Sequence, residues 1–316
     1  MSDFVFSHKP VMLRECIDNL NIRADMTYVD CTTGGGGHSF EIASRLSGVG
    51  RLICIDQDEC ALRAARERLA PFSDRITFVH DNFSELARIL DELSIDNLGG
   101  VLMDLGCSSY QLDTPERGFS YNNDAPLNMK MNEDRLLDAK QVVNTYSEEE
   151  LRRIIFEYGE ERFAPRIAQS IVRHRAEHEI ETTGELTKII LGAIPSSARD
   201  GGHHPAKRTF QAIRIEVNAE LDVITPAINA AADAMLPGGR IAAISFHSLE
   251  DRKVKESFAA LSSGCTCPRD FPVCICGNKP KIKTVTRKPI LPSAAETEEN
   301  PRARSAKLRV AEVLAR

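Results

Sequence analysis

Glycines grouped beside a strand, carboxylates at strand ends and paired cysteines are the residues of this chain that could do chemistry. Gly34, Gly35, Gly36 and Gly37 stand in a row between the run 28–31 (Tyr-Val-Asp-Cys) and residues 38–46, where Phe40, Ile42, Ala43 and Leu46 fall at helical spacing. The order is strand, glycine loop, helix. Glycine permits φ > 0 and lets a ligand approach the main chain. At the carboxyl end of a parallel strand, such a loop binds nucleotides. A dinucleotide fingerprint needs a third glycine three positions after the second, and those places hold Ser39 or Phe40. A P-loop needs a following Lys-Ser/Thr, which is absent. The remaining ligand class is mononucleotide-like with no pyrophosphate, and S-adenosylmethionine fits it.

Two carboxylates extend this site. Asp56 ends a second strand, 51–55, about twenty residues past the glycines, where an acid accepts hydrogen bonds from ribose hydroxyls. Asp58 precedes the helical run 60–69 and is read as its N-cap. Asp104 closes a fourth strand, 100–105. Burying an unpaired carboxylate is costly, so Asp104 should meet a ligand or a donor. Phe83, after strand 76–79, is placed to pack on adenine or to start a helix. His247-Ser248 suggests a hydrolase pair, but adjacent side chains at a strand end diverge, so His247 is read as lining the substrate side.

Cys265, Cys267, Cys274 and Cys276 form two C-x-C pairs that could hold zinc, although C-x-x-C is the usual spacing. Between residues 261 and 295 Asp270 is the only acid, against Arg269, Lys279, Lys281, Lys283, Arg287 and Lys288. With Arg302, Arg304 and Lys307 this makes the C-terminal region the candidate phosphate-binding surface.

These residues need elements to hold them. A helix at 10–20, strands at 28–31, 51–55, 76–79, 100–105 and 240–246, and intervening helices give an α/β alternation. The alternation stops between 114 and about 214. There amphipathic helices at 147–158, 164–177 and 184–194 and a polar stretch, 196–208, suggest an inserted domain. A long helix at 215–236 should return the chain to the sheet, with 283–290 and 305–314 as antiparallel neighbours. The expected domains are therefore 1–113 with 214–316, and an inserted 114–213. The chain has 316 residues and a net charge of -6, so a nucleic-acid site must be a local patch. Nine scattered cysteines and no membrane-length apolar run suggest a soluble, cytoplasmic protein with no membrane partner. The sequence leaves monomer and homodimer open.

Longer blocks carry a resemblance. They are His8-Lys9-Pro10-Val11-Met12-Leu13, Gly34 to His38, Asp104-Leu105-Gly106 with Ser108-Ser109, Gln111-Leu112-Asp113, Glu116-Arg117-Gly118-Phe119-Ser120, Tyr158-Gly159-Glu160-Glu161-Arg162-Phe163, Arg208-Thr209-Phe210-Gln211-Ala212, residues 245–252 and residues 300–305. Together they resemble the 16S ribosomal RNA cytosine-N4 methyltransferase family nearly end to end. The resemblance implies a Rossmann-like class I methyltransferase sheet with an inserted, mainly helical domain. It also implies S-adenosyl-L-methionine as cofactor and, as substrate, a decoding-centre cytosine of 16S rRNA in the small ribosomal subunit. By position it assigns cofactor contacts to Gly36, Gly37, His38, Asp56, Phe83, Asp104 and Gln111; His38 and Gln111 come from the resemblance alone. Tyr110 stands where many members have proline, Asn128 and Asn132 where acids are usual, and only some members carry the cysteine segment.

Amino methyltransferases of DNA place their amine-directing motif after strand four, which here puts Asp104 forward as the catalytic residue, either accepting an amine hydrogen bond or anchoring the cofactor. Tyr110, Phe119 and Tyr121 are candidate surfaces for a base taken out of its stack, or core aromatics. Lys207 and Arg208 join Lys281, Lys283, Arg287, Lys288, Arg302 and Arg304 as RNA-binding candidates. A methyltransferase with a protein amide or small-molecule acceptor, and a cofactor-binding ribosome assembly factor, are the competing readings.

Overall fold

Short β-branched runs separated by amphipathic segments set the elements. The computed structural model describes residues 10–199, 204–264, 267–268, 271, 273 and 275–315. Its first half holds α1 (Leu13–Leu20), β1 (Thr27–Asp30), α2 (Gly37–Ala43), β2 (Arg51–Asp56), α3 (Glu59–Arg68), β3 (Ile76–His80), α4 (Leu86–Glu92) and β4 (Leu98–Asp104). Helices follow: α5 (Ser109–Asp113), α6 (Ala139–Thr145), α7 (Glu148–Glu157), α8 (Ala164–Arg175), α9 (Thr183–Ala193) and α10 (Lys207–Asn218). The chain closes with α11 (Ile224–Ala234), β5 (Met235–Ser245), α12 (Ser248–Ser262), β6 (Ile282–Thr284), α13 (Ala294–Glu299) and β7 (Lys307–Val313).

It divides into two compact units, Met1–Gly106 with Leu221–Arg316, and Cys107–Glu220. In the first, the described strands form one seven-stranded sheet in the order β3-β2-β1-β4-β5-β7-β6. β1 to β5 run parallel, while β7 lies antiparallel to both β5 and β6. This is a Rossmann-like α/β fold. Leu52, Cys54, Leu102, Ala242 and Ile244 share one core with Val11, Cys16, Ile17 and Leu20 beside the sheet and with Ile42 and Ala43 of α2. The alternate residues Ile53, Ile55, Val101 and Met103 point to the other face and are equally buried. There α11 packs against α4, α12 and β5.

In the second unit, four helix starts are written locally. Ser108 with Gln111, Asp138 with Gln141, Ser147 with Glu150 and Thr182 with Glu185 form capping boxes. The core joins Val142, Ile154, Ile167, Ile190, Phe210 and Ile213 with Met129 and Met131 from the loop between α5 and α6. Asn218 pins that loop: its side chain accepts from the Met131 N–H at 2.8 Å and donates to the Met129 carbonyl at 2.8 Å.

Several expectations are corrected. The long helix at 215–236 is two helices, because Ala219 turns left-handed at φ 52 and α11 starts afresh at Ile224. Pro226 lies in the first turn of α11, where its missing N–H costs nothing; inside a continuous helix it would break the ladder. The polar stretch 196–208 gives way to α10, which begins at Lys207. At the other end, α1 starts at Leu13 rather than at Pro10, with Met12 left-handed at φ 52. The division between the units falls after Gly106 and Glu220, not at 113 and 213. The strand expected at 283–290 is confined to Ile282–Thr284 plus an isolated bridge from Ile290 to Leu308.

Candidate active site

The sheet reverses its order between β1 and β4, and the crevice outside the carboxyl ends of such a pair is where open α/β sheets bind ligands. Three acids stand at those ends. Asp30 lies in register with Cys54 and Leu102, so Asp56 and Asp104 each sit two residues further out. Asp30 accepts from the Ser39 hydroxyl at 2.6 Å and the Thr32 N–H at 3.1 Å, and burial still pushes its carboxyl up to about 6. Asp56 accepts from the Gly34 N–H at 2.8 Å and the Asp58 N–H at 2.9 Å, while burial pushes it up to about 7. Through these bonds Asp56 fixes the glycine loop. Gly34 and Gly36 take φ +51 and +76, where a side chain would be strained. A Cβ on Gly37 would lie 2.9 Å from the Pro10 ring, so this glycine is required by packing.

Asp104 is held differently. Its backbone N–H donates to the Thr32 hydroxyl at 2.6 Å, but its Oδ1 is buried with no hydrogen-bond partner among the described residues. Its Oδ2 lies 3.8 Å from Nδ1 of the buried His38. Burial first, then the negative charges of Asp30 and Glu250, push the carboxyl well above the usual carboxylate range. Glu250 is buried at the start of α12 and accepts from the Phe246 and His247 N–H groups at 2.7 and 3.2 Å. An unpartnered carboxylate oxygen beside a glycine cradle, in a field made by acids, suits a ligand carrying positive charge. The sulfonium and ammonium groups of S-adenosylmethionine meet that description.

Residues 5–314 match the model of the MraW methylase family. The chain belongs to that family, whose members are S-adenosylmethionine-dependent methyltransferases. It is 56% identical over 308 residues to ribosomal RNA small subunit methyltransferase H 2 of Agathobacter rectalis, covering 97% of this chain and 98% of the relative. It is likewise 56% identical over 307 residues to ribosomal RNA small subunit methyltransferase H of Clostridioides difficile, covering 97% and 99%. Among solved structures, an rRNA methylase from Streptococcus thermophilus aligns with a TM-score of 0.42 and 11% identity, covering 96% of this chain and 94% of that one.

Within this methylase, Gly36, Gly37, His38, Asp56 and Asp104 come together at the strand ends. Asp58 caps α3, accepting from the Cys60 N–H at 3.0 Å. Phe83 is 8% exposed and starts a 3-10 turn after β3. Gln111 belongs to the other unit, where its side chain accepts from the Ser108 N–H at 3.0 Å in the capping box of α5. His247, read as a strand-end residue lining the substrate side, is the N-cap of α12, accepting from the Glu250 N–H at 3.4 Å. Phe119 is 5% exposed in the core of its unit, so the core reading of that aromatic holds. Tyr121 stacks on His204 at 4.6 Å. Asn128 donates to Glu133 and accepts from the Lys130 N–H at 2.9 Å, a loop-forming role.

Two basic candidates are engaged by acids from elsewhere in the fold. Lys281 pairs with Asp233 at 2.6 Å and Lys283 with Glu312 at 2.7 Å. Arg208 donates to the Glu160 carbonyl. Lys207, Arg287, Lys288, Arg302 and Arg304 are exposed. Cys265 and Cys274 lie outside the described residues, so the zinc expectation does too; Cys267 and Cys276 are not in disulfides. Among the described residues no helix is long and apolar enough to cross a membrane. Sequence reasoning missed Asp30, Thr32 and Ser39. The signal was an acid on the last strand residue before the glycines, with a hydroxyl on either side of the loop.

Proposed function

We propose that this methylase transfers a methyl group from S-adenosyl-L-methionine to the exocyclic N4 amine of a cytosine in the decoding centre of 16S rRNA. The observation that carries the reading is the buried, unpartnered Oδ1 of Asp104 at the reversal point of the sheet. The printed names of the relatives, small subunit ribosomal RNA methyltransferases, support the substrate class. When bound, the cofactor supplies an electrophilic methyl on a sulfonium. Gly36 and Gly37 give it a close approach to the main chain, and Asp56 has lone pairs left for ribose hydroxyls beside the two N–H bonds it accepts. Phe83 borders the adenine.

Cytosine's amine is a poor nucleophile because its lone pair is delocalised into the ring. Holding it in line, with one N–H directed at Asp104 Oδ1, supplies orientation, which can contribute a large part of a rate. The base must leave its stack to reach that oxygen. The unit Cys107–Glu220 serves substrate recognition. Arg287, Lys288, Arg302, Arg304, Lys207 and Arg208 supply phosphate contacts. The protein acts in the cytoplasm, on the small ribosomal subunit. Incubation of small subunits with methyl-labelled cofactor, followed by nucleoside digestion, tests this. Label in N4-methylcytidine is expected; label in protein or in another nucleoside would overturn it.

A further inference from the structure

We propose that His204 is a stacking platform for an unpaired base of the RNA, with Lys207 and Arg208 holding the phosphates beside it. This subsite rests on the RNA substrate proposed above. It lies wholly within the unit Cys107–Glu220.

The platform is built outward from the core. Phe210 is buried in the core of this unit, and Tyr121 packs against that core. The Tyr121 and Phe210 rings meet edge to face, at 86° and 5.7 Å between centroids. Tyr121 and His204 lie nearly parallel, 8° apart with centroids 4.6 Å from each other. The sequence offered Tyr121 as a surface for a base; in the fold, His204 covers it. A planar ring has two faces, and Tyr121 takes one face of His204. His204 is exposed, and among the described residues no other ring packs on it.

Both stacked rings are held in place. His204 Nδ1 accepts from the Ala206 N–H at 3.2 Å, which anchors the imidazole to the start of α10. The loop that carries Tyr121 is pinned to the start of α9. There the Thr183 hydroxyl donates to the Asn123 carbonyl at 2.6 Å and accepts from the Ala125 N–H at 3.0 Å. Asp124 accepts from the Gly184 N–H at 3.1 Å. A base therefore meets a plane that the fold has already ordered, and little further entropy is lost on stacking.

The charge beside the ring suits an RNA strand. Residues 196–208 carry Arg199, Lys207 and Arg208 against Asp200 alone, in a chain of net charge -6. Lys207 and Arg208 are exposed, and neither is in an ion pair among the described residues. Arg208 donates to the main-chain carbonyl of Glu160, which leaves its charge unneutralised. The two residues open α10, whose positive dipole end adds to their field. Aromatic rings beside basic side chains take unpaired bases, because every base has a π-face whatever its sequence. The platform thus selects a base for being unpaired, not for its identity.

Two variants of the full chain separate the ring from its anchor. His204→Asn keeps an acceptor for the Ala206 N–H and removes the ring; His204→Phe keeps a ring and removes the acceptor. Equilibrium binding to small ribosomal subunits reads the difference. His204→Asn should weaken binding about tenfold, the scale of one base stacked on one ring, while His204→Phe should bind as the native chain does. Native affinity in His204→Asn, or an equal loss in His204→Phe, would overturn the platform. NMR of the native chain gives a reading free of any variant's folding. The His204 ring-proton signal should move upfield when a short single-stranded RNA is added and stay in place with inorganic polyphosphate. No shift with RNA, or the same shift with polyphosphate, would overturn the stacking. A native chain that binds neither the subunits nor the short RNA would overturn the RNA reading itself; native RNA binding with an indifferent His204 would overturn the platform alone.

Discussion

At the scale of single residues, the acids at the strand ends trade stability for chemistry. Asp104 is buried, lacks a partner for Oδ1 and is pushed toward the protonated form. Asp104→Asn should therefore raise the melting temperature of the ligand-free protein at alkaline pH, where the native carboxyl must be buried ionised and an amide carries no charge. The same change should slow methylation about tenfold or more, since each ~1.4 kcal/mol of lost transition-state stabilisation is tenfold. Calorimetric scanning and single-turnover assays read the two effects, and a variant neither more stable nor slower would remove Asp104 from its role. Asp56→Ala should weaken S-adenosylmethionine binding by about 1.5–3 kcal/mol, the scale of hydrogen bonds to a charged group. Unchanged affinity by titration calorimetry would remove Asp56 from the site. Much of this was legible. Asp56 and Asp58 separate into ligand and cap because one ends a strand and the other precedes a helix. The setting of His38 was not legible from the residues alone, since its ring is held by a carbonyl twenty-seven positions earlier in the chain. The acids that engage Lys281 and Lys283 were hidden for a similar reason, lying 48 and 29 positions away (281 − 233 and 312 − 283).

Among the elements, the loop between β1 and α2 sets the site, and it is held from both ends. Asp56 bonds the Gly34 N–H while Gly36 ends the loop at φ +76 as the N-cap of α2. Gly36→Ala places a Cβ 3.4 Å from the Ala65 side chain in a left-handed conformation. It should cost about 1–2 kcal/mol in urea unfolding and weaken cofactor binding as the loop shifts. A variant of native stability and affinity would show that the loop does not need that conformation. The parallel strands were readable because each contains a short apolar run and ends in a polar residue. The break between α10 and α11 was carried by Pro226 and by the left-handed Ala219. The proline was a visible signal; the alanine was not, because it follows Asn218, whose side chain is bonded to Met129 and Met131 far away in the sequence.

For the whole molecule, charge bears on stability and on the proposed RNA contacts. Asp30, Asp56 and Asp104 all have raised folded-state values, so the native state binds more protons than the unfolded chain above the usual carboxylate range. The contribution of Asp30 and Asp56 to stability is then present at low pH and lost as pH rises through about 6 to 7, and Asp104 acts in the same direction. The ligand-free protein should accordingly melt higher at about pH 5.5 than at about pH 7.5, and saturating cofactor should shrink that difference. An opposite trend by scanning calorimetry would contradict the acid cluster. On the RNA side, Lys281 and Lys283 are already engaged by Asp233 and Glu312, whereas Arg287 and Lys288 are exposed. Replacing Arg287 and Lys288 with alanine should reduce the slope of log K against log salt by about 1.4–1.8, while replacing the two lysines should change it little. The central claim is the identity of the methylated atom. Mass mapping of 16S rRNA from cells with and without the gene tests it most directly. The account predicts that one decoding-centre cytosine loses a single N4 methyl group when the gene is removed; an unchanged 16S modification pattern, or a methyl lost from any other atom, would contradict it.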